Sequence, residues 1–459
     1  MIIQPEQIAT YSLLRSPLGK DIRRIISATI NDVDAGEAIK KHVNYDSDHL
    51  IIDKINYDLS KFNRIFIIGA GKACVPMANT INEILRDQIT SGLLITKDGY
   101  RNSAKYHIDT QLKIIEASHP IPDQRNLDAA LNLITLTDEL NRDDLVIFIL
   151  SGGGSSLLMY PSPGISLQDI QTTTAILLSC GAPIHEINTI RKHVDVFKGG
   201  GLVKFLTPAT VISLILSDVV GDNLEVIASG PTVADPTTFG DAWAILNKYQ
   251  ILDQIPPRIT SKLSAGIQGE IQETIKPGDP IFSRVTNVIV GNNTYAVNSA
   301  FDIAKTLGFD TKVLTTSLQG EASQIGKILS EEAKILLSPS SSVTKPTCLI
   351  AGGETTVTIK GTGKGGRNQE LALGAVQGLS GSVQLILTSL ATDGVDGPTE
   401  AAGAVATNET YSRGLSIGLD PHDYLSRNDS FNYFEPLGDL IKTGPTLTNV
   451  NDLTFIFCL

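Results

Sequence analysis

The chain has 459 residues, enough for about two to three domains. Its 37 Lys and Arg residues against 49 Asp and Glu residues give a formal net charge of −12, which excludes a general attraction to nucleic acid or to an anionic membrane. No apolar run approaches the ~20 residues that span a bilayer, and the first residues lack the pattern of a secretory signal. Four widely spaced cysteines without a C-x-x-C pair indicate a cytoplasmic protein without structural zinc.

After about sixty residues of helical spacing, short β-branched strands begin to alternate with Gly-rich turns and amphipathic segments. This alternation predicts an α/β fold with a mostly parallel sheet that is covered on both faces. The predicted strands of this part are residues 64–68, 93–96, 113–117, 145–150 and 211–216, with helices from the first Gly-rich turn to about residue 87 and over 126–140.

A polar stretch with four prolines, between about residues 255 and 282, predicts a domain boundary. The same alternation restarts beyond it, with strands over 284–290, 311–315, 348–351 and 384–390, a helix from residue 294, and a polar interruption over 338–342. We therefore predict two α/β domains, of residues 1–275 and 276–459.

Three Gly-rich turns follow predicted strands, at residues 69–73, 151–156 and 352–356. In parallel α/β sheets ligands bind outside the carboxyl ends of the strands, and glycine lets backbone N–H groups approach an anion there. A tight turn is the alternative for any one of them, but three at equivalent strand ends favour an anion or nucleotide site. The candidate binding residues in these turns are Gly71, Ser151, Gly152, Gly153, Gly154, Ser155, Ser156 and Glu354.

Basic residues lie beside these and other Gly-rich loops. Lysine offers a compact charge and arginine a planar fork that can hold phosphate or carboxylate. For each residue the alternative is a solvated surface charge. The candidates are Lys72, Arg191, Lys192, Lys198, Lys364 and Arg367, with Asn368 next in the chain.

Acidic residues also follow apolar strands, at Asp218 and at Asp393 and Asp396. Carboxylates at strand ends suit Mg²⁺ or another divalent cation, because such ions prefer oxygen ligands and bridge to phosphate. An Asp-Gly turn or a helix cap is the alternative. His119 also follows a predicted strand, and we interpret it as a residue that orders its loop.

Several common motifs are absent from the sequence. The Walker A pattern fails around Lys72 and Lys364, and the dinucleotide fingerprint fails because Cys74 occupies its third glycine position. There is no H-E-x-x-H, and the turn at residues 151–156 lacks the G-x-S-x-G spacing of a hydrolase. The sequence therefore predicts that a phosphate-bearing ligand is bound by Gly-rich loops of a less common kind.

Taken together, several motifs in one order resemble the class II glycerate 2-kinases over about residues 60 to 453. Residues 443–453 are also similar to the MOFRL-type domain of that family, with Leu447 where glycine is expected. The other motifs are Gly69-Ala70-Gly71-Lys72-Ala73, His119-Pro120, the Ser-Gly-Gly-Gly-Ser-Ser turn, Ser217-Asp218 to Asp235-Pro236, and Gly365-Gly366-Arg367-Asn368-Gln369-Glu370.

The resemblance implies ATP-dependent phosphorylation of the 2-hydroxyl of D-glycerate, giving 2-phosphoglycerate and ADP with Mg²⁺ or another divalent cation. It implies a Rossmann-like N-terminal domain, a smaller MOFRL-type α/β C-terminal domain and an active site in the interdomain cleft. By motif, Lys72 and Arg367 are then the expected catalytic residues. Asp218, at a strand end, is a third catalytic candidate, and Asp218 and Asp393 are the candidate metal ligands. A homodimer is a further expectation.

Two other functions remain open at this point. One is an NAD(P)-dependent hydroxypyruvate reductase, which the Gly69-Ala70-Gly71 turn favours and Cys74 disfavours. The other is a non-catalytic sensor of sugar phosphates or nucleotides, which would need an anion site but no metal-binding carboxylates.

Overall fold

The computed structural model describes residues 2–101, 111–336, 346–381 and 384–459, so the polar interruption predicted over 338–342 lies outside the described residues. The chain forms two compact units. One contains Ala38–Val290 and is called the central unit here; the other, the terminal unit, combines Met1–Glu37 with Gly291–Leu459. No helix in the described ranges is long and apolar enough to cross a membrane.

The secondary structure alternates between strands and helices along most of the chain. The strands are β1 (Val43–Asp46), β2 (His49–Ile52), β3 (Ile55–Asp58), β4 (Arg64–Ala70), β5 (Ile89–Lys97), β6 (Leu112–Ala117), β7 (Asp144–Leu150), β8 (Thr210–Leu216), β9 (Val285–Gly291), β10 (Asp310–Leu318), β11 (Thr347–Gly353), β12 (Leu385–Ala391), β13 (Gly403–Thr407), β14 (Leu440–Ile441) and β15 (Asp452–Cys458).

The helices flank these strands. They are α1 (Tyr11–Arg15), α2 (Gly19–Asp32), α3 (Ala35–His42), α4 (Cys74–Leu85), α5 (Gln124–Thr137), α6 (Gly154–Leu157), α7 (Leu167–Ser179), α8 (Ile184–Val194), α9 (Val203–Leu206), α10 (Phe239–Lys248), α11 (Pro257–Ile267), α12 (Asn293–Thr306), α13 (Ala322–Leu336), α14 (Arg367–Leu379), α15 (Thr410–Ser416), α16 (Pro421–Ser426) and α17 (Ser430–Phe434).

The central unit is built on a six-stranded sheet in the order β6-β5-β4-β7-β8-β9. All four pairings from β6 to β8 are parallel, as the sequence predicts. If β4 to β9 are renumbered 1 to 6 in chain order, the strand order of the sheet is 3-2-1-4-5-6, which is that of the Rossmann fold. Every residue of β7 is buried, because helices cover both faces of a parallel sheet. A separate antiparallel sheet of β1, β2 and β3 precedes it.

The terminal unit contains a second six-stranded sheet, in the order β10-β11-β15-β12-β13-β14. Only β10 and β11 pair in parallel; the other neighbours are antiparallel. The sequence predicts a mostly parallel sheet for the N-terminal domain and an α/β fold for this part, and the mixed sheet agrees with the second expectation. Strand β15, which the strand predictions omitted, lies between β11 and β12 and runs antiparallel to both of them.

The predicted domain boundaries differ from these units in two places. Strand β9 was predicted to open the second domain, but it completes the sheet of the central unit next to β8. The sequence predicts that the first 37 residues belong to the N-terminal domain, but they belong to the terminal unit, where α2 packs against α12. Amphipathic periodicity shows that α2 has an apolar face and does not show which element covers that face.

Candidate functional site

Two of the predicted Gly-rich turns lie at the switch point of the central sheet. From β4 the sheet continues through β5 and β6 on one side, and through β7 and β8 on the other. Ligands of open α/β sheets bind at this point, outside the carboxyl ends of the two central strands. The turn at residues 69–73, called the lysine turn, ends β4, and the turn at residues 151–156, called the serine turn, ends β7.

Hydrogen bonds join the lysine turn to the serine turn. The N–H of Lys72 donates to the carbonyl of Gly152 at 2.9 Å, and the N–H of Ser151 donates to the carbonyl of Ala70 at 3.1 Å. The N–H of Ala73 donates to the hydroxyl oxygen of Ser151 at 2.9 Å. The backbone of Lys72 is therefore fixed beside the serine turn, and its side chain starts from there.

Gly71 allows this close approach, and we expect Gly71→Ala to destabilise the central unit by about 3 kcal/mol. Its φ is +128°, and an added Cβ would lie 2.2 Å from the hydroxyl oxygen of Ser151. Gly164 is the matched control, because its φ is also positive, at +85°, but its Cβ would meet open space. Urea unfolding measures both variants, and a loss at Gly71 no larger than that at Gly164 would contradict the steric argument.

His119 lies against the serine turn. A Cβ added to Gly153 would be 3.0 Å from the Nε2 of His119 and 3.5 Å from the Cγ of Lys72, so the three residues lie together. The Nδ1 of His119 is buried and has no hydrogen-bond partner among the described residues. Burial, followed by the charges of Lys72 and Lys97, lowers the pKa of His119 to about 4. The imidazole is therefore neutral at pH 7, beside a lysine.

This lowered pKa predicts that His119 makes the protein less stable as the pH falls from about 6.5 to about 4. In this range the unfolded chain binds a proton at His119 and the folded chain does not, at a cost of about 2 kcal/mol for a ring that is partly exposed. Urea unfolding at about pH 7 and about pH 4.5 should show a smaller acid loss in His119→Gln than in the parent. His185→Gln, at an exposed histidine, should behave like the parent.

Asn126 is a buried residue of this site that the sequence did not single out. Its side-chain amide donates to the carbonyls of Ser118 and Ser156, at 3.1 and 2.9 Å. It thereby ties the first turn of α5 to the loop of His119 and to the serine turn. The only sequence signal was its place in the capping box that opens α5, which carries no information on these distant partners.

Arg191 and Lys198 lie near the serine turn, around the buried carboxylate of Asp195. The ammonium of Lys198 donates to the carbonyl of Ser155 at 2.8 Å and is 3.2 Å from Asp195. Burial raises the pKa of Asp195 and lowers those of Lys198 and Arg191. The sequence indicated the two cations, whereas Asp195 was missed because nothing in its local pattern marks it.

Lys192 has a different environment from its neighbour Arg191. Its side chain is only 5% exposed, and its ammonium donates to Asp235 at 3.1 Å. Asp235 also accepts hydrogen bonds from the hydroxyls of Thr237 and Thr274. Lys192 thus neutralises a buried carboxylate that anchors two loops, and this contact accounts for its burial.

In the terminal unit, Arg367 is the first residue of α14 and lies between two carboxylates. Its guanidinium forms a bidentate pair with Asp452, at 2.5 and 2.9 Å, and approaches Glu354 at 3.1 Å. Burial acts to lower the pKa of Arg367, but Asp452 and Glu354 outweigh it, so the pKa is raised. Arg367 and Glu354 were both predicted site residues, and their partner Asp452 was not.

Asn368 and Asp396 are buried at the N-terminus of α14. The carboxylate of Asp396 accepts the backbone N–H groups of Asn368 and Gln369 at 3.1 and 2.9 Å, so it caps this helix from a distant part of the chain. Asn368 in turn accepts a hydrogen bond from Ser389 at 2.7 Å. These contacts fix the direction of the first turn of α14, which carries Arg367.

The predicted metal ligands Asp218 and Asp393 belong to different units. Asp218 lies after β8 and is half-buried. Asp393 follows β12, and its carboxylate accepts the N–H of Val395 at 3.0 Å. This contact belongs to an Asp-Gly turn, which the sequence left open as the alternative to metal binding. In the described ranges, no three side chains of His, Cys, Asp or Glu form a group that could hold a metal ion.

Leu447 marks the one motif position that departs from the family pattern. Its φ is +65°, in the left-handed region that glycine occupies without a steric penalty. The backbone here thus has the conformation for which glycine is expected, and a leucine adopts it.

Comparison with known proteins gives two matching family models. The model described as "Domain of unknown function (DUF4147)" matches residues 21–264, more than half of the chain, and the MOFRL family model matches residues 347–452.

Individual relatives cover nearly the whole chain. The glycerate 2-kinase of Pyrococcus horikoshii is 38% identical over 95% of this chain and 97% of its own length. The crystal structure of a glycerate kinase from Thermotoga maritima superposes with a TM-score of 0.83 at 39% identity, covering 96% of this chain and 99% of that one. A putative hydroxypyruvate reductase of Agrobacterium vitis is 37% identical over 86% of this chain and 99% of its own length.

Proposed function

The chain belongs to the class II glycerate 2-kinase family, and we propose from this that it transfers the γ-phosphoryl group of ATP to the 2-hydroxyl of D-glycerate. The products are 2-phosphoglycerate and ADP. Phosphoryl transfer needs little covalent chemistry from the protein, because positioning and charge neutralisation lower most of the barrier.

The observation that carries this proposal is the hydrogen bond between the N–H of Lys72 and the carbonyl of Gly152. It joins a lysine to a turn of glycines and serines at the switch point of a Rossmann-like sheet. In the proposed reaction phosphate oxygens bind to N–H groups of the serine turn that the two turns do not use themselves, such as those of Gly152 and Gly153. Lys72 neutralises the charge that develops on the transferred phosphoryl group.

Arg367 is the proposed second cation of the reaction. A planar guanidinium can bind the carboxylate of glycerate or two phosphate oxygens in a bidentate manner. Asp452 already occupies the Nε–Nη2 edge of the guanidinium in this way, and Glu354 lies beside Nη1, so the substrate is proposed to bind the remaining N–H groups of Nη1 and Nη2. These two carboxylates therefore orient Arg367 before the substrate arrives and keep it charged.

Mg²⁺ is the proposed divalent cation, bound together with ATP. Carboxylates at strand ends, such as those of Asp218 after β8 and Asp393 after β12, suit Mg²⁺, since it usually binds through one or two carboxylates and the phosphates of a substrate. Asp218 or Asp393 is the residue proposed to help hold it. When bound, Mg²⁺ neutralises charge on the phosphates.

The cellular location and the oligomeric state are also proposals. All four cysteines are unpaired, which supports a reducing cytoplasmic location. A homodimer is likewise a proposal.

One set of assays tests the function. ADP release that requires both ATP and D-glycerate supports a kinase, and conversion of the product by enolase without a mutase identifies 2-phosphoglycerate. NADH oxidation with hydroxypyruvate, in a reaction without coupling enzymes, would support the reductase instead. That alternative is disfavoured because the third glycine of the dinucleotide fingerprint is replaced by Cys74, which is fully buried. Nucleotide binding without any turnover would support the sensor.

A further inference from the structure

A cavity of about 720 Å³ lies within the central unit, next to the serine turn. Ser155 and Ser156 form part of its wall, and helix α7 forms another part. Binding sites for drug-sized ligands measure about 300–1,000 Å³, so this cavity is suited to a ligand far larger than a three-carbon acid. Glycerate alone would leave most of it filled with water.

Most of the cavity wall is apolar. Met159, Ile170 and Ile176 contribute to it, and so do two side chains with large exposed surfaces, Ile121 at 66% and Leu178 at 62%. Apolar side chains exposed in a concave site favour a ligand with an apolar or aromatic face. A phosphate or a small hydroxy acid has no such face.

The charged groups of the wall are confined to one set of residues, Arg191, Asp195 and Lys198. Two cations surround one carboxylate, so the set carries one excess positive charge. Lys198 is occupied by Asp195 and by two backbone carbonyls, whereas Arg191 forms no hydrogen bond or ion pair within the described part of the chain. An excess charge in a partly desolvated site is costly, and an anionic ligand offsets this cost.

We propose that this cavity binds the adenosine part of ATP, with the α- and β-phosphates between Arg191 and the serine turn. A nucleotide joins a flat aromatic base to an anionic chain, which is the combination that an apolar wall with one excess positive charge can bind. The side-chain amides of Gln168 and Gln171 in the wall donate to Thr172 and to the carbonyl of Pro122, and their amide oxygens can accept from the amino group at the edge of the base. The inference rests on the proposed kinase function and names the site at which its nucleotide binds.

The position of the serine turn links this site to the reaction. Ser155 belongs both to the cavity wall and to the turn whose Gly152 carbonyl holds the N–H of Lys72. Phosphates that extend from the cavity along the serine turn therefore run toward Lys72. One nucleotide would then fill the apolar cavity, offset the excess positive charge and place its phosphates against the serine turn.

The test is to fill the cavity from an exposed position of α7. Ala175 lines the cavity and is exposed, so Ala175→Trp adds a large ring without disturbing the core. ADP binding to the full chain is measured by calorimetry, and we expect at least about a tenfold weaker affinity. Tripolyphosphate, which lacks the nucleoside, should bind to this variant as it does to the parent.

Ala244→Trp is the matched control, because Ala244 is an exposed helical alanine of the same unit that does not line the cavity. It should keep the parent affinity for ADP. Unchanged ADP binding in Ala175→Trp would overturn the inference. If Ala175→Trp instead raised KM for D-glycerate at saturating ATP and left the ADP affinity unchanged, the cavity would bind glycerate and the inference would also be wrong.

The calorimetric titration requires no turnover, which separates this inference from the proposed function. A parent protein that binds ADP in a manner sensitive to Ala175→Trp, but transfers no phosphate to glycerate, would support the nucleotide cavity and contradict the kinase. A parent protein that phosphorylates glycerate, with ADP affinity unaffected by Ala175→Trp, would do the reverse.

Discussion

Replacing Lys72 by alanine should lower kcat by about 10²–10³-fold and leave the fold intact. The loss is expected because the ammonium group is the proposed neutralising charge for the transferred phosphoryl group. The fold is expected to survive because the contacts that join the two turns use the main-chain N–H of Lys72, which alanine retains. Steady-state kinetics with D-glycerate and ATP measures the effect, and urea unfolding checks stability.

Lys61→Ala provides the control for Lys72→Ala. Lys61 belongs to the same unit, its side chain is 75% exposed, and its ion pair with Asp58 is a surface contact. This variant should keep the parent kcat. Near-normal turnover in Lys72→Ala would refute the proposed role of Lys72.

Replacing Arg367 by alanine should affect both activity and stability. We expect kcat/KM to fall by about 10³-fold or more, because the guanidinium is the second proposed cation. We also expect the free energy of unfolding to fall by about 3 kcal/mol, since the variant leaves the carboxylate of Asp452, only 8% exposed, without its counterion. The same two measurements apply, kinetics and urea unfolding.

Arg367→Lys separates the two effects. It keeps the positive charge next to Asp452 and Glu354 but cannot form the bidentate pair. Most of the lost stability should return, and most of the activity should not. If Arg367→Lys recovered both equally, the guanidinium would have no specific part in the reaction. If it recovered neither, the bidentate pair itself would be what the fold requires.

Within the central unit, the sequence predicted the strands of the sheet and the turns that end them. Strands such as β7 are apolar at every position after the first residue, Asp144, and this run is visible in the sequence because a parallel sheet is buried on both faces. Glycines at the strand ends were equally visible. The hydrogen bond from Lys72 to Gly152 was not, since it depends on β4 and β7 being neighbours in the sheet.

Within the terminal unit, local patterns gave the segments but not their arrangement. A strand such as β15 has the same apolar composition in a parallel or an antiparallel sheet, so its insertion between β11 and β12 left no local mark. Asp452 opens β15, and its pairing with Arg367 follows from that insertion. A pair that is 85 residues apart in the chain cannot be found from spacing.

The sequence by itself determined the α/β fold class and the Gly-rich turns with their cations, because apolar runs and glycines at strand ends are local features of composition. The family, and with it the expectation of a Rossmann-like N-terminal domain, came from the resemblance of several ordered motifs. The tertiary structure decided the strand order of the terminal sheet, the place of the first 37 residues, and the partners Asp195, Asp235, Asp396 and Asp452. It also decided that a cavity lies beside the serine turn. The physical reason is that a buried charge is stabilised by whichever group packing brings to it, and packing depends on contacts between distant parts of the chain.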